Sequence, residues 1–240
     1  KWAPESLLFT EMINATSLKH GYGTQKIKQL ELEKGPIGVQ IFDNRPFAVS
    51  EAAKLAEDSG AFLIDINMGC PVKKISRKGG GSALINDRLL AIELVKRVSN
   101  AVKVPVTVKT RLGWENKEEN IEEFLLSLQD AGAEMITLHG RTRKEGFSGK
   151  ADWEMIGKIK ELLEIPVIAN GDIKNPKDAF NCFKKTNADG LMIGRGILGS
   201  PWKIGEIDYA VKEIKGFKEP NIEEKLLLII EHLDELIKEK

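Results

Sequence analysis

The sequence predicts an α/β fold, and within that class a (β/α)8 barrel. Three observations carry the prediction. Short apolar, β-rich runs alternate with amphipathic segments of helical length along almost the whole chain, the pattern of parallel strands joined by helical crossovers. Most of those runs are near-continuous in apolar character, as strands covered on both faces require. Polar residues stand at the C-terminal ends of the runs: Glu11, Gln40, Asn67, Lys109, His139, Asn170 and Arg195. An open doubly wound sheet gathers its ligand groups at one switch point, whereas a barrel brings every strand end to one mouth. The first run is followed by no GxGxxG, which weighs against a dinucleotide-binding sheet.

In chain order the predicted strands are Leu7–Met12, Gly38–Phe42, Phe62–Asn67, Pro105–Thr110, Met135–His139, Pro166–Asn170 and Gly190–Gly194. The predicted helices are Ser50–Asp58, Leu84–Ser99, Lys117–Asp130, Asp152–Leu163 and Pro176–Lys185. Asn175-Pro176 is a helix start, with proline in the first turn. Ser59-Gly60-Ala61 and Ala131-Gly132-Ala133 place glycine where a helix stops before a strand. Seven strands are found and a barrel needs eight. The first begins a few residues from Lys1, so the expectation is a barrel whose first strand is not in this chain. Near the other end Asn221 can cap a helix, with Glu224 at the capping-box position. Leu226, Leu227, Ile230, Leu233 and Ile237 then form an apolar stripe that needs a partner. The expected organisation is a catalytic barrel over residues 1–205, then a linker and the first helix of a C-terminal helical domain over 206–240.

Composition sets the limits. A chain of 240 residues, 42% hydrophobic and 30% charged, suits one soluble barrel with a sizeable core. It has no membrane-length apolar run and no signal segment. Two cysteines are too few for a disulfide framework, so a reducing cytoplasm is expected. With a formal net charge of zero, any nucleic-acid contact must come from local patches. A metal site is not expected, and neither is an oligomer.

The candidate chemistry lies at the strand ends. Asn170-Gly171-Asp172 and Gly194-Arg195-Gly196 follow successive late strands. Glycine lets backbone N–H groups approach a phosphate, and barrels place phosphate sites after strands seven and eight. Arg195 can add a charge-assisted contact; the plainer reading is two tight turns. Lys109, closing an apolar strand, needs solvent or an anion. Gln40 and His139 likewise want partners, and one planar, hydrogen-bonding cofactor over the mouth would satisfy all three. In "DINMGCPVKK", Asp65 and Asn67 share one strand face, and Gly69 and Pro71 bend the chain away. That puts Cys70 on a loop at the catalytic end, although a free cysteine is often just a small buried hydrophobe. Cys182, inside a helix, fits that plainer reading. Lys73, Lys74, Arg77 and Lys78 then make a basic loop suited to a phosphodiester-rich partner, or a solvated face.

Taken together, "DINMGCPVKKISRKGGGSALINDRLL", "VPVTVKTRLGW", "ITLHGRTR", "VIANGDI" and "MIGRGILGSPW" resemble the tRNA-dihydrouridine synthases, most closely the bacterial type B branch. The resemblance runs from Thr10 to the C-terminal helix. It implies a flavin-dependent (β/α)8 barrel with a helical C-terminal domain. The implied activity is reduction of the C5=C6 bond of a uridine in tRNA, with FMN as cofactor and NADPH as reductant. Carried over by motif, Cys70 is the general acid and must work as a thiol rather than a thiolate. Asn67 would contact the uracil, and Gln40 and Lys109 the flavin ring. Asn170, Gly171, Asp172, Gly194 and Arg195 would hold the ribityl phosphate. His139 and Arg111 would line the flavin and substrate pocket, and Lys73, Lys74, Arg77, Arg141 and Arg143 would contact the RNA. The family's opening "PM-x-G" strand does not occur in this chain. The glycine triplet Gly79–Gly81 is richer than the family's usual pattern there. The nearest alternative is a flavin barrel acting on a free pyrimidine, of the dihydroorotate or dihydropyrimidine dehydrogenase kind. A cofactor-free phosphate barrel and a non-catalytic RNA-binding barrel are more distant ones.

Overall fold

In the computed structural model, residues 2–19, 21, 27, 30, 35–115 and 120–238 are described. They form a curled, all-parallel sheet with helices packed around it. The predicted first strand is two short pieces, β1 (Leu8–Phe9) and β2 (Ile13–Asn14). Both pair with β3 (Ile37–Phe42), one near each of its ends: Leu8 opposite Ile37, Asn14 opposite Phe42. Between them Thr10 keeps the register, its N–H donating to the Gly38 carbonyl and its Oγ1 accepting from the Gln40 N–H. The order then follows the sequence through β4 (Leu63–Asn67), β5 (Val106–Arg111), β6 (Met135–His139), β7 (Val167–Asn170) and β8 (Gly190–Met192). This gives seven strand positions, and β8 and β1 do not pair with each other among the described residues.

The helices are α1 (Ala15–Lys19), α2 (Pro46–Asp58), α3 (Lys73–Ser76), α4 (Arg88–Ser99), α5 (Ile121–Asp130), α6 (Trp153–Leu162), α7 (Pro176–Thr186), α8 (Lys203–Val211) and α9 (Ile222–Lys238). Caps fix several starts. Asp87, Asp152 and Asn175 each accept from the N–H three residues on, satisfying a donor the helix leaves free. The predicted Leu84–Ser99 helix is therefore not continuous. A 3-10 turn covers Gly81–Ile85, and α4 starts only after Asp87. The first helix after β3 begins earlier than predicted, at Pro46, because proline serves as a first helical residue. The predicted start at Lys117 lies outside the described residues. Helix α8 crosses the expected boundary at 205 and packs on α7, burying Ile207.

Strand alternation divides the polar interior from the apolar shell. Ile64, Ile66, Val108, Ile136 and Leu138 are fully buried in one core with Val49, Ala53, Leu94 and Phe124. The alternate residues Asp65, Asn67, Thr107, Lys109, Thr137 and His139 point to the other face, inside the curl. Helix α9 differs from the rest: Leu226, Leu227, Ile230, Leu233 and Ile237 are all more than half exposed.

Candidate active site

The C-terminal strand ends open into a cleft of about 1280 Å³. Small-molecule pockets hold roughly 300–1,000 Å³, so a nucleotide and a second ring fit together. Eight Lys or Arg side chains and two Asp line it, in a chain of zero formal charge. Positive charge is thus concentrated where a polyanion would be held.

Cys70 lies at the cleft wall on a loop tied down from every side. Asn67 Oδ1 accepts from the Gly69 and Cys70 N–H groups at 3.2 and 2.9 Å. Arg111 Nε donates to the Gly69 carbonyl at 2.7 Å. The Ser82 N–H donates to the Cys70 carbonyl at 3.1 Å, and Thr110 Oγ1 to the Met68 carbonyl at 3.2 Å. Gly81, at φ +59°, crosses so close that a Cβ there would stand 2.9 Å from the Cys70 oxygen. That gives one glycine of the triplet a reason: both the backbone conformation and the contact exclude a side chain. Both cysteines are buried, but their settings differ. Cys70 faces the cleft, whereas Cys182 is sealed inside α7 and burial pushes its thiol up to about 12.

On β5, the strand beside the Cys70 loop, Lys109 Nζ donates to Asn170 Oδ1 at 2.9 Å, and Asn170 Nδ2 donates to the Met192 carbonyl at 2.8 Å. Burial lowers Lys109 to about 8, partly opposed by the charge of Asp65. Burial, reinforced by Arg111, Lys109 and Arg141, lowers His139 to about 3. Its imidazole is therefore neutral at physiological pH. His139 Nδ1 is buried with no hydrogen-bond partner among the described residues, a deficit of about 1–3 kcal/mol.

The far end carries the glycine turns. Gly171 sits at φ +117°, and a Cβ there would meet Ala151 Cβ at 2.9 Å. Trp153 Nε1 pins its carbonyl at 3.0 Å. At Gly194 a Cβ would meet nothing within 4 Å, so its backbone borders open space in the cleft. The Arg195 guanidinium lies 3.9 Å over the ring of Phe147.

Comparison with known proteins agrees with this geometry. A family model described as dihydrouridine synthase (Dus) matches residues 1–240. The chain belongs to the dihydrouridine synthase family. It is 49% identical over 236 residues to "Probable tRNA-dihydrouridine synthase 1" of Synechocystis sp., covering 98% of this chain and 66% of that protein. It is 39% identical over 234 residues to "tRNA-dihydrouridine synthase B" of Pasteurella multocida, covering 96% of this chain and 70% of that protein. The chain thus spans about two thirds of the length of these relatives.

Within this member of the dihydrouridine synthase family, most residues singled out from sequence meet in the cleft. Asn67, Cys70, Lys109, Arg111, His139, Arg141, Asn170, Gly171, Asp172, Gly194 and Arg195 all line it. Others are placed differently. Gln40 is half-buried and does not line this cleft; it accepts from Asn67 Nδ2 at 2.8 Å. Lys73, Lys74 and Arg77 are exposed on and just after α3, outside the cleft. Arg143 is half-buried, stacked 4.4 Å over Trp114. Arg141 corrects the expectation of an RNA-facing cation. It is 2% exposed, donates to the Ser148 and Gly149 carbonyls, and grips both oxygens of Asp172 at 2.9 and 2.8 Å. Burial would raise the Asp172 carboxyl, but the Ala151 N–H and Arg141 outweigh it and hold it below the usual range. With that carboxylate engaged, any anion contact at Asp172 falls to its backbone. Arg111 is also committed, to the Gly69, Thr142 and Gly146 carbonyls. Sequence reasoning did not single out Phe147, Thr107 or Asp65 as site residues. The available signal was an acid in the middle of the apolar run FLIDIN.

Proposed function

We propose that this chain is the catalytic barrel of a tRNA-dihydrouridine synthase, reducing the C5=C6 bond of a uridine in tRNA with FMN as cofactor and NADPH as reductant. The observation that carries the proposal is a backbone-anchored Cys70 in the wall of a large cationic cleft that Lys109 and His139 also line. The names of the relatives point the same way.

The residues present fit FMN. Open backbone at Gly194, the Gly171 turn and Arg195 suit its phosphate. Lys109, which lines the cleft, suits the polar edge of its ring. When bound, the flavin supplies the hydride. The chain's own part is positioning and proton supply. Lys109 would supply positive charge to a flavin held in the cleft. The Cys70 thiol provides the proton at C5 from the opposite side of the uracil. Arg111 and Asn67 keep that thiol in place through the Gly69–Cys70 backbone. The target base must leave its stack to enter. The exposed cations Lys73, Lys74 and Arg77 are placed to meet the RNA backbone beside the cleft.

Two domains suit the chain, with the boundary moved beyond α8, since that helix packs on the barrel. The uncovered apolar face of α9 supports reading it as part of a helical domain that grips tRNA. A flavin barrel acting on free pyrimidine would need neither α9 nor the basic turn.

The test is the visible spectrum of the purified protein together with dihydrouridine mapping on tRNA from a strain deleted for the gene. The proposal expects flavin absorbance and the loss of dihydrouridine from defined positions, restored by the gene. A colourless protein, or reduction of free uracil in preference to tRNA, overturns it.

A further inference from the structure

From Asn67 in the cleft wall a polar chain runs inward to Asp65, a residue that the proposed reaction does not use. Asp65 is fully buried on β4 without a salt-bridge partner among the described residues. Its Oδ1 accepts from Thr107 Oγ1 at 2.7 Å, and its Oδ2 from Gln40 Nε2 at 2.6 Å. Gln40 Oε1 accepts from Asn67 Nδ2 at 2.8 Å, and Asn67 Oδ1 accepts from the Gly69 and Cys70 N–H groups. Strand register makes the chain: Gln40 stands opposite Asp65 on neighbouring strands, and Asn67 lies two residues along on the same face.

The direction of this chain is forced from both ends. Backbone N–H groups only donate, so Asn67 must turn its oxygen to the loop and its NH₂ to Gln40. Gln40 must then offer its oxygen to Asn67 and its NH₂ onward. The far end must be an acceptor. A carboxylate is the one side chain that accepts and never donates. An amide or hydroxyl at position 65 could meet the same contacts only by turning its acceptor inward, whereas a carboxylate has no other setting. This accounts for an ionisable group where burial is costly. Burial raises Asp65 only to about 6, so it remains a carboxylate at neutral pH.

We propose that Asp65 is a positioning residue: its carboxylate fixes the polarity of the Gln40–Asn67 relay, which holds the Gly69–Cys70 backbone and hence the Cys70 thiol against the cleft. The catalytic consequence rests on reading Cys70 as the proton donor; the structural claim does not.

Polarity makes the claim testable by reversal. Asn67→Asp puts two acceptors face to face at Gln40. Adding Asp65→Asn lets the relay run the other way, from the introduced amide on β4 through a flipped Gln40 to the introduced carboxylate, with both loop N–H groups still accepted. Gln40→Met removes the middle link with no change of charge. The readout is amide hydrogen exchange at Gly69 and Cys70 in the folded, full chain, with Gly140 across the cleft as internal reference. Asn67→Asp and Gln40→Met should each speed exchange at the two loop amides about tenfold or more relative to Gly140, and the Asp65→Asn/Asn67→Asp pair should return to within about threefold of the parent. Unchanged exchange in Gln40→Met overturns the proposal, as does a double variant as fast as Asn67→Asp. If Asn67→Asp does not fold, Gln40→Met decides. No turnover is measured, so failure of the proton-donor reading, seen as normal dihydrouridine formation without the Cys70 thiol, is a separate result.

Discussion

His139 makes the protein acid-sensitive in a way that can be worked out in advance. Its imidazole titrates near 3 in the fold, against about 6.5 in an unfolded chain. The fold therefore holds it neutral. Stability is full above the unfolded value and is lost as pH falls from there toward the folded one. Over that window the unfolded chain binds up to one more proton, a slope of about 1.4 kcal/mol per pH unit. From about pH 6.5 to about pH 5 the loss is about 2 kcal/mol, a large part of a stability of about 5–15 kcal/mol. Asp65 acts in the opposite sense. Its folded value is raised to about 6, so the fold takes up a proton there as pH falls and regains stability. The parent curve alone mixes the two, and His139→Gln separates them. Urea unfolding of parent and variant, in the same flavin state near pH 7.5 and near pH 5, should give a difference that moves by about 2 kcal/mol in favour of the variant at the lower pH. A parent-minus-variant difference that is the same at both values refutes the reasoning.

Two further outcomes follow from the charge arrangement. Asp172→Asn should cost about 3 kcal/mol in urea unfolding, because it strands the buried Arg141 guanidinium. Asparagine tolerates the φ of +58° at that position, so a loss below about 0.5 kcal/mol would mean that the pair contributes little. Replacing Lys73, Lys74, Arg77 and Lys78 together by Gln should weaken tRNA binding and flatten its dependence on salt by about 0.7–0.9 per phosphate contact removed. An unchanged salt slope rejects the RNA-contact role of this turn.

Much of the fold was legible because burial on both faces makes strands read as apolar runs. The seven predicted runs are the seven strand positions, and of the polar residues closing them Asn67, Lys109, His139, Asn170 and Arg195 line one cleft. What the sequence hid was mostly pairing. That Gln40 stands opposite Asp65 depends on strand register, which no local pattern encodes, so its hydrogen bonds with Asp65 and Asn67 were not legible. Arg141 read as a surface cation because "HGRTR" gives no sign that the chain folds back at Ser148 and Gly149 to cap it. The glycine at position 81 carried no functional reading until its approach to the Cys70 carbonyl was visible. The start of α4 was missed for a local reason: the apolar run through Leu84 and Ile85 looks helical, and the Asp87 cap interrupts it.

The proposed chemistry stands or falls on the Cys70 thiol. The hydrogen bonds that anchor its loop use the backbone of Met68, Gly69 and Cys70, so Cys70→Ala removes the sulfur and leaves the loop's supports in place. The decisive measurement is dihydrouridine formed on tRNA by Cys70→Ala, taken beside the rate at which NADPH reduces its flavin. A proton-donating Cys70 predicts flavin binding and reduction like the parent, with dihydrouridine formation slower by about 10²–10⁴-fold. Dihydrouridine formation within about twofold of the parent would contradict it.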